Sequence, residues 1–270
     1  MRKGYIKEGR TMILTSKRMR AILVVMVAVT VGNLAVTLYS QGGQNTPGGG
    51  INNKDQGSER ARESRGRAPV ADYNAPEPAD PEKKAKRKAR NERHNNSMLG
   101  VKGGLNAAPG SGDEIVLITD WEVNTPRLPA AQSDVVVVGE ITEANAFISG
   151  DRNGVYSEFS LRVEEALKKD GARAASPGEV IAAERQGGRV RYPSGRIEWF
   201  HIAQQEFPLI SRRYVLFLKR IDVDSFSIVT GYELREGQAY ALDSASQFKA
   251  LDGTDEAAFL QSVRDAIAKR

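Results

Sequence analysis

The chain has 270 residues, 40% hydrophobic and 27% charged, with no cysteine and two histidines, which excludes disulfides, a thiol nucleophile and a thiolate metal site. Its formal charge of +5 averages two unlike parts: residues 1–110 hold 20 basic and 9 acidic groups, net +11, and residues 111–270 hold 19 and 25, net −6. The basic balance of the whole is therefore no sign of a nucleic-acid-binding domain, and nucleic acid is not an expected partner.

Residues 1–20 form a basic flank, with Arg2, Lys3, Lys7, Arg10, Lys17, Arg18 and Arg20 against Glu8 alone. Behind it runs AILVVMVAVTVGNLAVTLY, Ala21 to Tyr39, without a charge. As a helix this run would reach about 28 Å, close to the thickness of a bilayer's hydrocarbon core. Residues 41–60 balance Lys54 and Arg60 against Asp55 and Glu59, so the charge asymmetry predicts a cytoplasmic flank, a transmembrane signal-anchor helix over 21–40, and the remainder outside the cytoplasm. A cleaved signal peptide is the alternative, but the run is longer than an ordinary export signal and no small-x-small site closes it. Ala28 and Gly32 have the spacing that lets two membrane helices approach closely.

From 41 to 111 the composition turns to Gly, Asn, Pro, Ser and charge, without an apolar cluster. Such a segment cannot repay its ordering entropy, and a disordered cationic linker is expected. Its one island is PEKKAKRKARNERHNN, in which Lys83, Lys84, Lys86, Arg87, Lys88, Arg90 and Arg93 crowd together. These seven are the candidate contacts to an anionic surface, lipid or envelope polymer; the alternative is a solvated linker kept extended by its charge.

Residues 112–270 suffice for one core and read mostly with a period of two. EIVLITDW opens the pattern, and Asp134 to Ile141 follow as a strand too apolar to lie at the surface. Val155, Ser157, Phe159, Leu161 and Val163 then alternate with polar positions, after the Asn153-Gly154 turn signal. Val180 to Ala183, a hairpin joining Val190 and Tyr192 to Ile197 and Trp199, RRYVLFLKRI, Phe226 to Thr230, and Gln238 to Leu242 complete seven to nine strands. An antiparallel barrel or sandwich is predicted. At the end the period changes: Phe259, Leu260, Val263 and Ile267 make a helical stripe, predicting a helix over 255–268 with Thr254 or Asp255 as its cap.

The order SDVVVVGEIT, YSEFSLRVEEALKKDG, SRRYVLFLKR resembles the OB-like barrel of netrin-type modules and metalloproteinase-inhibitor N-domains, over roughly Ser133 to Leu242. The resemblance implies a mainly β binding module outside the cytoplasm. The inhibitors of that family place an N-terminal cysteine in a protease's metal site; with no cysteine here, that mechanism does not carry over.

No residue set stands out as catalytic, metal-binding or cofactor-binding. His94 lies in the expected linker, and His201 has no HExxH-type partners. Asp222 with Asp224, and Glu140 with Glu143, read as solvated turn carboxylates, and Gly187-Gly188 lacks the Lys-Ser/Thr of a phosphate loop. Arg191, Tyr192, Trp199, Phe200 and His201 fall in one hairpin and form the candidate interaction site. Trp199 and Phe200 must face opposite sides of their strand, so they cannot share one core. Together these readings predict a bacterial, single-pass cell-membrane protein whose outer domain binds a ligand or organises the envelope, with an envelope protein as a candidate partner. A hydrolase of envelope polymer and a structural accessory domain are the rival readings.

Overall fold

The structure, a computed structural model, describes residue 63 and residues 66–95, 114–169, 175–222 and 225–269. They form a mainly β fold. β1 (Val70–Asp72), β6 (Gly188–Arg191), β7 (Ile197–Ile202) and β2 (Glu114–Leu117) make a four-stranded sheet in the order β1-β6-β7-β2. A second sheet contains β3 (Val135–Ile148), β4 (Val155–Lys168), β5 (Val180–Gln186), β8 (Arg213–Asp222), β9 (Ser225–Arg235), β10 (Gln238–Ala241) and the two-residue β11 (Thr254–Asp255). Three helices are described: α1 (Pro81–Arg93), α2 (Ser246–Lys249) and α3 (Glu256–Ala268).

In the larger sheet β3 pairs with β4, β4 with β5, β5 in parallel with β9, β9 with β8, and β8 with β3. The pairing returns to its start, so these five strands form a closed ring. Its interior takes every second side chain: Val135, Val137 and Ile141 from β3, Phe159 and Leu161 from β4, Leu216 and Leu218 from β8, and Phe226 and Ile228 from β9. The intervening Val136, Val138, Val215 and Phe217 are buried too, in a second cluster with Tyr232, Phe248, Phe259 and Val263. That is why the valine run of β3 carries no polar alternation: both faces of the strand are covered.

α3 covers the second cluster with Phe259 and Val263, and Asp255 caps it by accepting from the Ala258 amide at 3.1 Å. At the far end of β5 the chain leaves the ring for the smaller sheet through Gly187 and Gly188. Gly187 has φ +100°, and a Cβ there would stand 2.6 Å from the Phe200 carbonyl oxygen. Only glycine turns the chain this tightly against β7.

The fold corrects the sequence reading in two ways. Among the described residues no helix is long and apolar enough to cross a membrane. α1 and α3 have 13 residues each, about 20 Å at the rise of an α-helix against a core of about 30 Å, and nine of the 13 residues of α1 are charged. Against the expected single-pass architecture, the described residues supply no membrane-spanning helix, and the signal-anchor assignment, the membrane as partner and the cell-membrane location have no support from them; the apolar run 21–39 itself lies outside the described residues. The second correction concerns the disordered tether, for β1 and α1 are ordered elements inside the stretch 41–111, and β1 adds a strand to the smaller sheet.

Candidate functional site

α1 begins where local chemistry places it. Asp80 accepts from the amides of Glu82 and Lys83 at 2.8 and 3.0 Å, Pro81 occupies the first turn, and Glu82 faces the positive helix end. Lys86 pairs with Glu82 at 2.8 Å, one turn away. No residue of α1 is buried, so apolar packing does not hold it. It is held by its cations.

The surface beneath it is acidic and aromatic. In the β4–β5 pair Glu158 stands directly opposite Glu184, and their side chains are only 12% and 1% exposed. Two like charges directly across a ladder repel each other, and burial sharpens the repulsion unless cations are supplied. α1 supplies them. Arg87 grips Glu158 with both terminal nitrogens, and Arg90 donates to the same carboxylate at 2.9 Å. Arg93 donates to Glu184 at 3.2 Å and to the Ser225 hydroxyl at 3.0 Å, and also reaches Asp222 at 3.3 Å. His94 Nε2 lies 2.9 Å from Glu184.

Aromatic rings complete the seat. The His94 ring lies on Tyr156 at 3.9 Å between centroids and 11° between planes, and the Arg87 guanidinium sits 3.3 Å from the centre of the Phe147 ring. Tyr156 donates to the Asn91 side chain at 2.7 Å and accepts from Arg87 at 3.0 Å. The contacts from α1 thus fall at 87, 90, 91 and 94, one face of a helix, with Arg93 at its edge. At the helix end the Asn91 carbonyl accepts from the Gly150 amide at 2.9 Å and the Asn95 side chain accepts from the Asp151 amide at 2.8 Å, which ties α1 to the β3–β4 turn.

The titration of these groups follows from the geometry. Burial opposes ionisation of Glu184, but the His94 hydrogen bond and the charges of Arg93 and Arg90 outweigh it, and its pKa is held below the ordinary carboxylate value. Burial beside Glu158 pushes the Tyr156 hydroxyl up. Arg87 also rises, because the Glu158 carboxylate overcomes the cost of burial.

The seven cations of the basic island divide by type. The arginines 87, 90 and 93 turn to the domain with side chains 22%, 22% and 23% exposed, whereas Lys84, Lys86 and Lys88 are 55%, 63% and 74% exposed and Lys83 is exposed as well. Arginine's planar fork meets a carboxylate with two parallel bonds and is less strongly hydrated than an ammonium, which suits it to the half-buried positions.

The hairpin residues lie elsewhere, in the smaller sheet. Trp199 is buried against the interior of the five-stranded ring and Phe200 in a separate cluster with Ala146, Val155 and Val190, so strand alternation does send them into different cores. His201, 5% exposed, stacks on Trp199 at 3.6 Å and lies 2.8 Å from Glu114. Tyr192 stacks on Tyr73 at 5.4 Å and donates to Glu198 at 2.9 Å. Arg191 is exposed and pairs with Asp72 at 3.4 Å. Four of the five thus stand within packed or stacked surroundings. Asp222 contributes to the α1 seat, Asp224 lies outside the described residues, Glu140 pairs with Arg162 at 2.7 Å, and Glu143 accepts from Ser160 at 3.2 Å.

His94, Glu158, Glu184 and Tyr156 are the site residues that sequence reasoning missed. The signal for α1 is present in Asp80-Pro81-Glu82, a helix start by capping rules. The pairing of Glu158 with Glu184 has no signal in a single sequence, since it depends on the register of two strands. No protein-family model matches the chain, and no curated protein matches it.

Proposed function

We propose that the chain is a binding module built on an OB-type barrel, and that the acidic, aromatic face of β4 and β5 is its ligand surface, taking cationic polypeptide. The barrel reading rests on the strand order β3-β4-β5-β9-β8, closed back to β3 with a single parallel pair between β5 and β9. Barrels of this type carry ligands on the face of their second and third strands and the adjoining loops, which here are β4, β5 and the β3–β4 turn. The observation that carries the ligand class is the pair of half-buried Glu158 and buried Glu184, seated opposite each other and supplied with guanidinium groups. A face of this charge rejects phosphate backbones and favours arginine, and the stacked Tyr156 and Phe147 rings add cation–π attraction.

The test uses the full chain carrying R87S, R90S and R93S, which cuts the arginine contacts of α1. A fluorescent peptide with the sequence of residues 80–95 is titrated into it and followed by anisotropy. Saturable binding that weakens with salt and is abolished by E158Q with E184Q is expected. A folded chain that leaves the peptide unbound at low salt overturns the reading.

A further inference from the structure

Resting on that reading, we infer that α1 is a built-in competitor: it keeps the β4–β5 face closed, and the partner that opens it is a helix of another protein presenting arginines at i, i+3 and i+6. Three observations carry this. First, α1 has no buried residue. A helix fixed for stability alone buries an apolar stripe, whereas one held by ion pairs and hydrogen bonds can leave without exposing a core. Second, what it covers is costly to leave bare. Glu158 and Glu184 stand directly across from each other beneath α1, and taking its cations away leaves two adjacent like charges to repel each other. The face therefore selects for some cationic occupant and does not stay empty. Third, the contacts read as recognition of a helix side, with guanidinium pairs to each carboxylate, an amide on Tyr156 Oη, and a ring stacked on the Tyr156 face.

The chain's own helix has the advantage of tethering. It is joined to β1 by the short stretch 73–80, so its effective concentration at the face is on the order of millimolar. A partner in trans meets the open face only for the fraction of time that α1 is away, and its apparent affinity falls by that fraction. Two kinds of partner overcome this: one present at high local concentration, or one that adds contacts beyond the footprint of α1. Of the outward lysines, Lys84, Lys86 and Lys88 pair with Glu77, Glu82 and Glu92 within the same segment.

The experiment compares the intact full chain with the R87S/R90S/R93S chain, using the fluorescent 80–95 peptide and a second peptide in which the three arginines are lysines. Amide hydrogen exchange of β3, β8 and β9 confirms that each protein is folded. A milder variant, N91A with H94A, keeps the arginines and serves if the triple variant does not fold. The inference predicts that the peptide binds the opened chain about tenfold or more tightly than the intact chain, that N91A/H94A lies between them, and that the lysine peptide binds more weakly than the arginine peptide. Equal binding to intact and opened chains overturns the competitor role while leaving the ligand surface standing. No binding to either folded protein overturns both. Equal binding of lysine and arginine peptides overturns the arginine-helix partner and leaves a face that reads charge alone.

Discussion

The five-stranded ring and the helix α1 are held to the same molecule by opposite physics. The ring buries aliphatic and aromatic side chains on both faces of β3 and β8, so its stability scales with apolar area and responds little to salt. α1 buries none and is joined through Arg87, Arg90, Arg93 and His94 to Glu158 and Glu184, contacts that ionic strength and pH can weaken. The difference teaches that order need not imply a permanent place in the core. A segment with an unpromising composition is ordered because two strands set a pair of carboxylates where only cations can satisfy them.

Changes to the ring should have the largest effects. Truncating Phe159 to Ala, at 1% exposure inside the ring, is expected to cost about 3–5 kcal/mol, read as a lower midpoint in urea unfolding that is unchanged in high salt. The buried pair of Arg185 and Asp243 comes next. Asp243 accepts from Arg185 at 2.7 and 2.8 Å, from Thr230 at 2.8 Å and from the Glu206 amide at 3.0 Å. D243A leaves a buried guanidinium without its carboxylate and should cost about 3–5 kcal/mol; a variant as stable as the parent would show that the pair is not needed to close the fold.

Smaller effects separate α1 from the ring. E184Q removes the charge that Arg93 and His94 share, and is expected to raise protease cutting within 81–93 several-fold, with a global cost of about 1–3 kcal/mol. Acid should do the same without mutation. Because the pKa of Glu184 is lowered in the folded state, its stabilisation is present above the unfolded carboxylate value of about 4.3 and drains away as pH falls through the lower folded value. Arg90, Arg93 and His94 from α1, Tyr156 and Glu158 from β4, and Asp222 from β8 surround it. Proteolysis followed from pH 6 to pH 3 should therefore release α1 before the ring unfolds; simultaneous loss of both would place the acid-sensitive groups elsewhere. Replacing Lys83, Lys84, Lys86 and Lys88 by Ser should change stability by no more than about 1 kcal/mol, most of it helix propensity.

Period-two alternation in β4 and the apolar stripe of α3 made the mainly β fold with its terminal helix legible in advance, because side-chain spacing follows directly from backbone geometry. A barrel was among the readings, but the parallel pairing of Ala183 with Phe226 that helps close the ring was not legible, since it joins residues from distant stretches with no local mark. α1 was hidden for another reason. An apolar stripe was the criterion for a docked element, and Arg87, Arg90 and His94 carry no such stripe, although the division of the island into inward arginines and outward lysines is written in the sequence. The hairpin around Trp199 reads as a strand pair, but Trp199 and Phe200 are buried in two different clusters, and which residues cover them lies beyond a reading of local pattern.

The most direct measurement is amide hydrogen exchange on the full chain in 0.05 and 1 M sodium chloride, comparing residues 82–94 with β3 and β8. The account predicts that protection of α1 falls in high salt while that of the two strands is unchanged. Equal protection of α1 at both salt concentrations would contradict it, because a helix held by apolar packing, and not by its cations, is the arrangement that salt leaves in place.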